Sequence, residues 1–318
     1  MRSAKSAVGT AALVAAAGLV LSGCQDGPAQ SSDLPSGNVS MIVPAGPGGG
    51  SDVAGRAVAA GLEEAADVTI SVENQEGSGG ALGFSNFLQY EGDPNYLISA
   101  ETALIHIPAT QEVEFSYQEF TPIFKIGEDS TLILVRSDSE LQTCSDFVEK
   151  AEDGRVVVGF AGGLDEITFN LFEEASGAEF DYVPFGAGSE STTALMGGHV
   201  EVVSANPSEA MGQIESGDVR PLCAAAEERY TYDQISDVPT AKEQGIDVAF
   251  AQYRGILAPG GISDEARQFW IDAAKQYVES DAYDEYVESA MLQPLTAFGD
   301  DFTSYLDEYN DTVVSTVE

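Results

Sequence analysis

The sequence predicts an α/β protein made of two units of mostly parallel sheet that share a cleft. Three observations carry this. A strand, a glycine-rich loop and a helix recur as one theme along the chain. The copies fall into two groups, one before about residue 105 and one after about residue 160. The chain has 318 residues, 43 % of them hydrophobic, enough for two cores. Strands alternating with helices imply sheets covered on both faces. In such sheets ligands sit beyond the carboxyl ends of strands, where glycine loops lead into helices. Two units facing one another across their glycine loops fit a hinged binding protein.

The N-terminus is a targeting segment. Arg2 and Lys5 precede a short apolar run, Ala11 to Leu21, and Leu21-Ser22-Gly23-Cys24 then matches the lipobox of a bacterial lipoprotein signal. The run is too short for a membrane span. Cleavage before Cys24, with lipidation of its thiol, would leave residues 25–38 as a flexible tether rich in Ser, Pro and Gly. The mature chain is then extracytoplasmic and meets the membrane only through its lipid.

The first copy of the theme spans Ile42 to Asp52, IVPAGPGGGSD. Met41-Ile42-Val43 is the strand end. Pro44, Pro47 and Gly48-Gly49-Gly50 break it, and Ser51 and Asp52 are good N-caps for a helix over Val53 to Leu62. Glycines let a backbone approach a ligand closely, and a helix N-terminus offers unpaired N–H groups and partial positive charge. The stretch from Pro44 and Ala45 through Asp52 therefore reads as a backbone cradle for a carboxylate, against the plain alternative of a tight strand-to-helix turn. The second copy runs from strand Val68–Val72 through Gly77-Ser78-Gly79-Gly80 into a helix at about Ala81 to Gln89. Tyr96–Ser99 is a buried strand, followed by Ala100-Glu101-Thr102 and a short helix ending near Pro108. Phe124 to Ser137 holds the apolar strand Leu132–Val135.

The third copy is strand Val156–Phe160, loop Ala161-Gly162-Gly163 and helix Asp165–Ala175. The fourth is Tyr182–Phe185, Gly186-Ala187-Gly188-Ser189 and a helix from Glu190 to Met196. Strand Val200–Ser204 ends at Ala205-Asn206-Pro207. Ser208–Ser216 is helical, Val219–Ala225 and Phe250–Leu257 are extended, and Ser263 caps a helix to about Glu279. Helices over Asp281–Met291 and Asp300–Val314 close the chain.

Charge excludes several partners. Asp and Glu number 53 against 13 Lys and Arg, a net charge of −40. Such a surface repels nucleic acid and anionic membrane, and points to a saline setting that screens self-repulsion. Long-range attraction cannot capture an anion here, so local donors must.

No catalytic or cofactor constellation emerges. The opening glycines are followed by Ser-Asp with no Lys, so there is no phosphate loop, and the dinucleotide spacing also fails. His106 and His199 are far apart and lack metal-ligand spacing. His106 lies in an apolar stretch and reads as a packed residue, His199 as a turn residue. Asp52 and Arg56 stand at i, i+4 and read as a structural pair. Beyond Cys24, Cys144 and Cys223 remain; outside the cytoplasm they are free to pair, and the fold decides.

Several stretches together resemble a known family. They are Val43-Pro44 with Pro47-Gly48-Gly49-Gly50-Ser51-Asp52 and Arg56; Val72-Glu73-Asn74 with Gly77-Ser78-Gly79-Gly80 and Gly83; Val183-Pro184-Phe185 with Ala194 to Val200; Val238-Pro239-Thr240 with Glu243-Gln244-Gly245; and Arg254-Gly255 with Ala258-Pro259. In this order the chain resembles the extracytoplasmic solute receptors of tripartite tricarboxylate transporters, the TctC or Bug type. The resemblance runs from about Val39 to the C-terminus. It implies a type II periplasmic-binding-protein-like, Venus-flytrap fold with a cleft between two domains, residues 39–128 plus 222–318 and residues 129–221. It implies hinges near Gly127 to Leu132 and Arg220 to Ala225. It also implies a non-enzymatic, cofactor-free monomer that captures a small di- or tricarboxylate and delivers it to a membrane permease.

The resemblance further implies that one carboxylate is held by Pro44 to Asp52 and by Ala161-Gly162-Gly163. Variable positions, here Glu101, Thr102, Gly188, Ser189 and Asn206, meet the rest of the ligand. Ala161 departs from the family's usual Ser, which shifts that contact toward water. A Cys144–Cys223 disulfide is plausible on this reading. The acid excess keeps a second reading open, a receptor for a neutral or cationic solute, which gains if Asp52, Glu101 or Glu190 lines the cleft. An extracytoplasmic α/β enzyme would need a nucleophile–base pair that two histidines do not supply.

Overall fold

The computed structural model describes residues 34–317; Cys24 and the segment around it lie outside the described residues. The chain opens with β1 (Asn38–Val43), α1 (Gly50–Ala66), β2 (Thr69–Asn74), α2 (Ala81–Phe87), β3 (Tyr96–Ala100), α3 (Ala103–Thr110) and β4 (Phe120–Ser130). It continues with β5 (Leu132–Arg136), α4 (Cys144–Asp153), β6 (Val156–Phe160), α5 (Gly163–Ser176), β7 (Phe180–Pro184), α6 (Gly188–Met196), β8 (Val202–Ala205), α7 (Pro207–Ser216) and β9 (Val219–Ala224). It ends with β10 (Ala251–Pro259), α8 (Asp264–Val278), α9 (Asp281–Ala290), β11 (Ala297–Phe298) and α10 (Asp300–Val317).

Two mixed sheets result, ordered β11-β4-β10-β3-β1-β2 and β7-β6-β8-β5-β9. Their centres are parallel, β2-β1-β3 in one and β7-β6-β8 in the other. The antiparallel pairs are β10 with β3 and β4, β11 with β4, and β5 with β8 and β9.

Both faces of each sheet are covered, which explains why the central strands are apolar throughout. In β1, Val39 and Met41 enter the core shared with α1, α8 and α9, while Ile42 enters the opposite core with α2, α3 and α10. Gly61 lets α1 lie against α8, since a Cβ there would stand 2.0 Å from the Tyr277 ring. The second sheet is sandwiched likewise, with Phe147, Phe169 and Phe172 on one face and Leu195, Ala210 and Tyr230 on the other. Leu164 and Ile167 of α5 pack in the first unit's core, so the two units also share apolar contact.

The chain passes from the first sheet to the second at Thr131, inside the segment Gly127 to Leu132 where the resemblance puts a hinge. The Tyr230 hydroxyl fixes that crossing, donating to the Ser130 carbonyl at 2.6 Å and accepting its N–H at 2.8 Å. Two details differ from the sequence reading. The return crossing lies beyond residue 222. β9 belongs to the second sheet, and Ala225, Ala241, Ile246 and Val248 pack on it, whereas Phe250 packs in the first unit. Finally, α1 begins at Gly50 with Gly49 as its cap, so Ser51 and Asp52 lie inside its first turn. Cys144, the first residue of α4, is joined to Cys223 of β9 by a disulfide.

Candidate functional site

Sheet order places the glycine loops. β1 lies between β2 and β3, so after β1 the chain turns first to one side and later to the other; β6 stands in the same position between β7 and β8. These are the topological switch points, where crossovers leave in opposite directions and a crevice opens beyond the carboxyl ends. The β1–α1 and β6–α5 loops occupy the two switch points, and they face a common cleft.

The cleft is made of three adjoining spaces of about 380, 410 and 570 Å³; Arg254 lines all three, Ser51 and Glu101 line the first and second, and Gly50, Gly188 and Glu209 line the second and third. Pro44, Ala45, Ser51 and Glu101 line the first. Gly50, Thr102, Ala161-Gly162-Gly163, Gly188 and Asn206 line the second. Gly48, Gly49 and Ser189 line the third. Of the residues singled out from sequence, Asp52 and Glu190 line none of these spaces. The Asp52 carboxylate turns back to accept the Gly48 N–H at 2.9 Å, Arg56 Nε at 3.0 Å and Asn74 Nδ2 at 2.8 Å. Arg56, with Gly48 and Asn74, holds the buried Asp52 down to about 2. Glu190 is likewise occupied, accepting the Gly186 N–H at 3.0 Å.

The same device recurs at three glycine loops. Asp52, Asp165 and Glu190 each stand four residues after a loop amide and accept its N–H, Ala161 to Asp165 at 2.9 Å being the third case. One donor per loop is thus satisfied by the chain itself, and each acid lies in the first turn of its helix. The first amides of α1 and α5, at Gly50, Ser51 and Gly163, have no carbonyl four residues back in the helix. Gly50, Ser51 and Gly163 all line the second space of the cleft.

A polar chain crosses between the units. The Ser51 hydroxyl donates to Glu101 at 2.7 Å. Arg254 donates to Glu101 through Nη1 at 2.7 Å and to Asp129 through Nη2 at 2.9 Å. Asn206 donates to the same Asp129 oxygen at 2.9 Å. Burial opposes the Arg254 charge, but Asp129 and Glu101 more than offset it and hold the guanidinium firmly protonated. A Cβ at Gly50 would come within 3.3 Å of Arg254 Nη2, so the glycine admits the guanidinium beneath the loop. His106 lies against the other loop: a Cβ at Gly163 would stand 2.6 Å from its ring, and its Nε2 is 3.8 Å from Glu166. Burial lowers the imidazole pKa, with Glu166 opposing. Asp165 is buried beside them, and desolvation pushes its carboxyl up to about 7 against the Ala161 hydrogen bond.

Sequence reasoning missed Arg254 and Asp129 as parts of this site; His106 is packed, as the sequence suggested, and what it packs against is the Gly163 loop. A signal existed for Arg254, a lone charge in the otherwise apolar run Ala251–Pro259. Nothing local marks Asp129, because its role depends on the strand that pairs beside it. His199 is exposed after α6, away from the cleft. Among the described residues no group of three His, Cys, Asp or Glu is placed to hold a metal ion, and no helix is long and apolar enough to cross a membrane.

Two α/β units joined by crossing strands, with opposed glycine loops on one cleft, define the class of hinged solute receptors. The tripartite tricarboxylate transporter family receptor profile, TctC, matches residues 54–312, and the chain belongs to that family. A Cupriavidus necator protein encoded in the gbd 5' region is 27 % identical over 291 residues, 90 % of this chain and 87 % of that protein. BugT of Bordetella pertussis is 24 % identical over 243 residues, 74 % of each chain. Among solved structures, a TctC solute-binding protein from Polaromonas has a TM-score of 0.76 at 24 % identity, covering 89 % of this chain and 98 % of that one. MatC from Rhodopseudomonas palustris, with bound malate, gives 0.77 at 21 % identity, covering 90 % and 100 %. A second R. palustris protein, with adipate, gives 0.78 at 20 %, covering 89 % and 98 %. The structural likenesses show the shared two-sheet α/β fold, and the family is one of extracytoplasmic solute receptors rather than enzymes.

Proposed function

We propose that this chain captures a small organic carboxylate in the cleft and delivers it to the membrane permease of a tripartite tricarboxylate-type transporter. The carrying observation is the pair of glycine loops at the two switch points, with Gly50 and Ser51 of one and Gly162 and Gly163 of the other lining one space. One ligand carboxylate meets Gly50, Ser51, Gly162 and Gly163, and Glu101, Thr102, Gly188, Ser189 and Asn206 meet the remainder. Malate and adipate in the related R. palustris structures support a dicarboxylate. The two units act as jaws about the crossings at Thr131 and near residue 250, the protein works as a monomer, and Cys24 carries the lipid that holds it to the membrane.

Closing on a charged ligand requires that each oxygen find an N–H, hydroxyl or water. Micromolar binding, about 8 kcal/mol, is the expected strength. Titration calorimetry of the purified chain against di- and tricarboxylates, amino acids and aromatic acids tests it, and silence across the panel from folded protein would sink the reading. Mass analysis of the mature N-terminus tests lipidation at Cys24.

One observation keeps the second reading in view. Glu101 lines the cleft, although it already accepts from Ser51 and Arg254, whereas Asp52 and Glu190 are occupied by their own loops. A ligand with some positive character would have to share that carboxylate with Arg254.

A further inference from the structure

The second space of the cleft, bordered by both glycine loops, is lined by four acids: Glu101, Asp165, Glu166 and Glu209. Two bases line it as well, Arg254 and His106. The Arg254 guanidinium is already held by Glu101 and Asp129. His106 has a buried Nε2 without a hydrogen-bond partner, and burial disfavours its charged form, with Glu166 opposing from 3.8 Å. An anion entering this space therefore adds negative charge where negative charge is already in excess.

Asp165 is the acid tied to the loop that would hold a ligand carboxylate. It lies in the first turn of α5, is 6 % exposed, and accepts the Ala161 N–H at 2.9 Å. Among the described residues it forms no ion pair. A carboxylate at that depth without a cation is costly, and a second carboxylate beside it raises the cost further. One of the two then takes up a proton, as like charges sharing a site do. An ordinary ligand carboxyl is a strong acid by comparison. Burial lifts Asp165 to about 7, with the Ala161 hydrogen bond opposing and Glu209 adding to the rise, so the proton goes to Asp165.

We propose that the receptor captures its carboxylate together with a proton, and that Asp165 carries that proton. The proposal rests on the carboxylate reading above. Neutral Asp165 still accepts the Ala161 amide, and its O–H adds a donor to a loop whose residues Ala161, Gly162 and Gly163 bring none from side chains. Linkage is reciprocal: if protonation strengthens anion binding, the anion raises the Asp165 pKa by the same factor. Free and bound forms then differ in proton content from about pH 7 upward, so binding takes up protons there and weakens as pH rises. Glu209 and His106 are the other groups in this space able to titrate. Burial raises the Glu209 carboxyl, with Arg254 opposing, but neither residue is hydrogen-bonded to the Ala161–Gly163 loop.

The test is calorimetric titration of the purified chain with succinate, malate, adipate, citrate, glutamate and benzoate in phosphate, HEPES and Tris buffers, whose ionisation enthalpies differ. The slope of observed enthalpy against buffer ionisation enthalpy counts the protons taken up. For the acid that binds best it should read about half a proton or more at about pH 7.5, and Kd should rise severalfold by about pH 8.5. In Asp165→Asn, which keeps the Ala161 acceptor without the charge, the slope should fall to near zero. Its Kd should stay at or below the parent's pH 7.5 value across that window. Binding without proton uptake, or with proton release, overturns the proposal and leaves the carboxylate reading standing. So does a folded Asp165→Asn that keeps the parent slope or no longer binds. Uptake that survives in Asp165→Asn and vanishes in Glu209→Gln or His106→Gln places the proton elsewhere and overturns it too. Binding of none of the six acids by the folded parent overturns both readings.

Discussion

Asp165→Asn should make the protein more stable at neutral pH and leave it nearly unchanged in acid. Asp165 is 6 % exposed, accepts the Ala161 amide at 2.9 Å, and has no cationic partner. Desolvation lifts its carboxyl from 3.8 to about 7 in the folded state. The folded chain therefore holds a proton that the unfolded chain releases between those values. Below about 3.8 both states are protonated, and the contribution to stability is fully present. As pH rises from 3.8 through 7 it is lost, because the folded state must ionise a buried acid. The shift of about 3 units corresponds to about 4 kcal/mol at 1.36 kcal/mol per unit. Asparagine keeps the acceptor for Ala161 without placing a charge in the buried site. Urea unfolding of both proteins from pH 4 to 8 measures the difference directly, and subtraction removes the background from the other carboxylates. The gap should open across this window by up to about 4 kcal/mol and flatten above pH 7.5 or so. A gap that stays constant from pH 4 to 8 refutes the argument that Asp165 is destabilised as a charge.

Other outcomes follow from the same geometry. Arg254→Met leaves Glu101 and Asp129 without their buried cation, and should cost about 3–5 kcal/mol in urea unfolding as well as weaken ligand binding. Asp52→Ala should cost about 1–2 kcal/mol, discounted because Arg56 is half exposed. Its folded pKa of about 2 lies below 3.8, so this contribution is present above 3.8 and lost as pH falls through 2, which acid titration of the variant against the parent will show. Replacing Cys144 and Cys223 by Ala opens a link across a sequence separation of 79 residues, and chain entropy gives a loss of about 4–5 kcal/mol, read as a lower Tm.

Much of the fold is legible along the chain because it is written in local chemistry. Val156–Phe160 followed by Ala161-Gly162-Gly163 announces a buried strand and a tight exit wherever that segment lies. The glycine loops of the cleft could be picked out for the same reason. What was illegible depends on partners distant in sequence. The strand Leu132–Val135 and the turn of the chain before it could be read locally, but only the strands pairing beside them show that the chain changes sheets at Thr131. The residues after 222 are equally apolar in either unit, and it is their packing on β9 and against Cys144 that assigns them to the second.

The acidic residues show the division most sharply. By itself the sequence determined a net charge of −40, a recurring strand–glycine–helix unit and two groups of loops able to present backbone donors. It could not rank 53 acidic residues, because a carboxylate's role depends on its burial and its neighbours rather than on its place in the chain. Tertiary structure decided that Asp52 and Glu190 close their own loops, that Glu101 and Asp129 grip Arg254 across the crossing, and that Asp165 is buried uncompensated. The physical reason is that desolvation and ion pairing act over a few ångströms in space, and those distances join residues as far apart as Glu101 and Arg254.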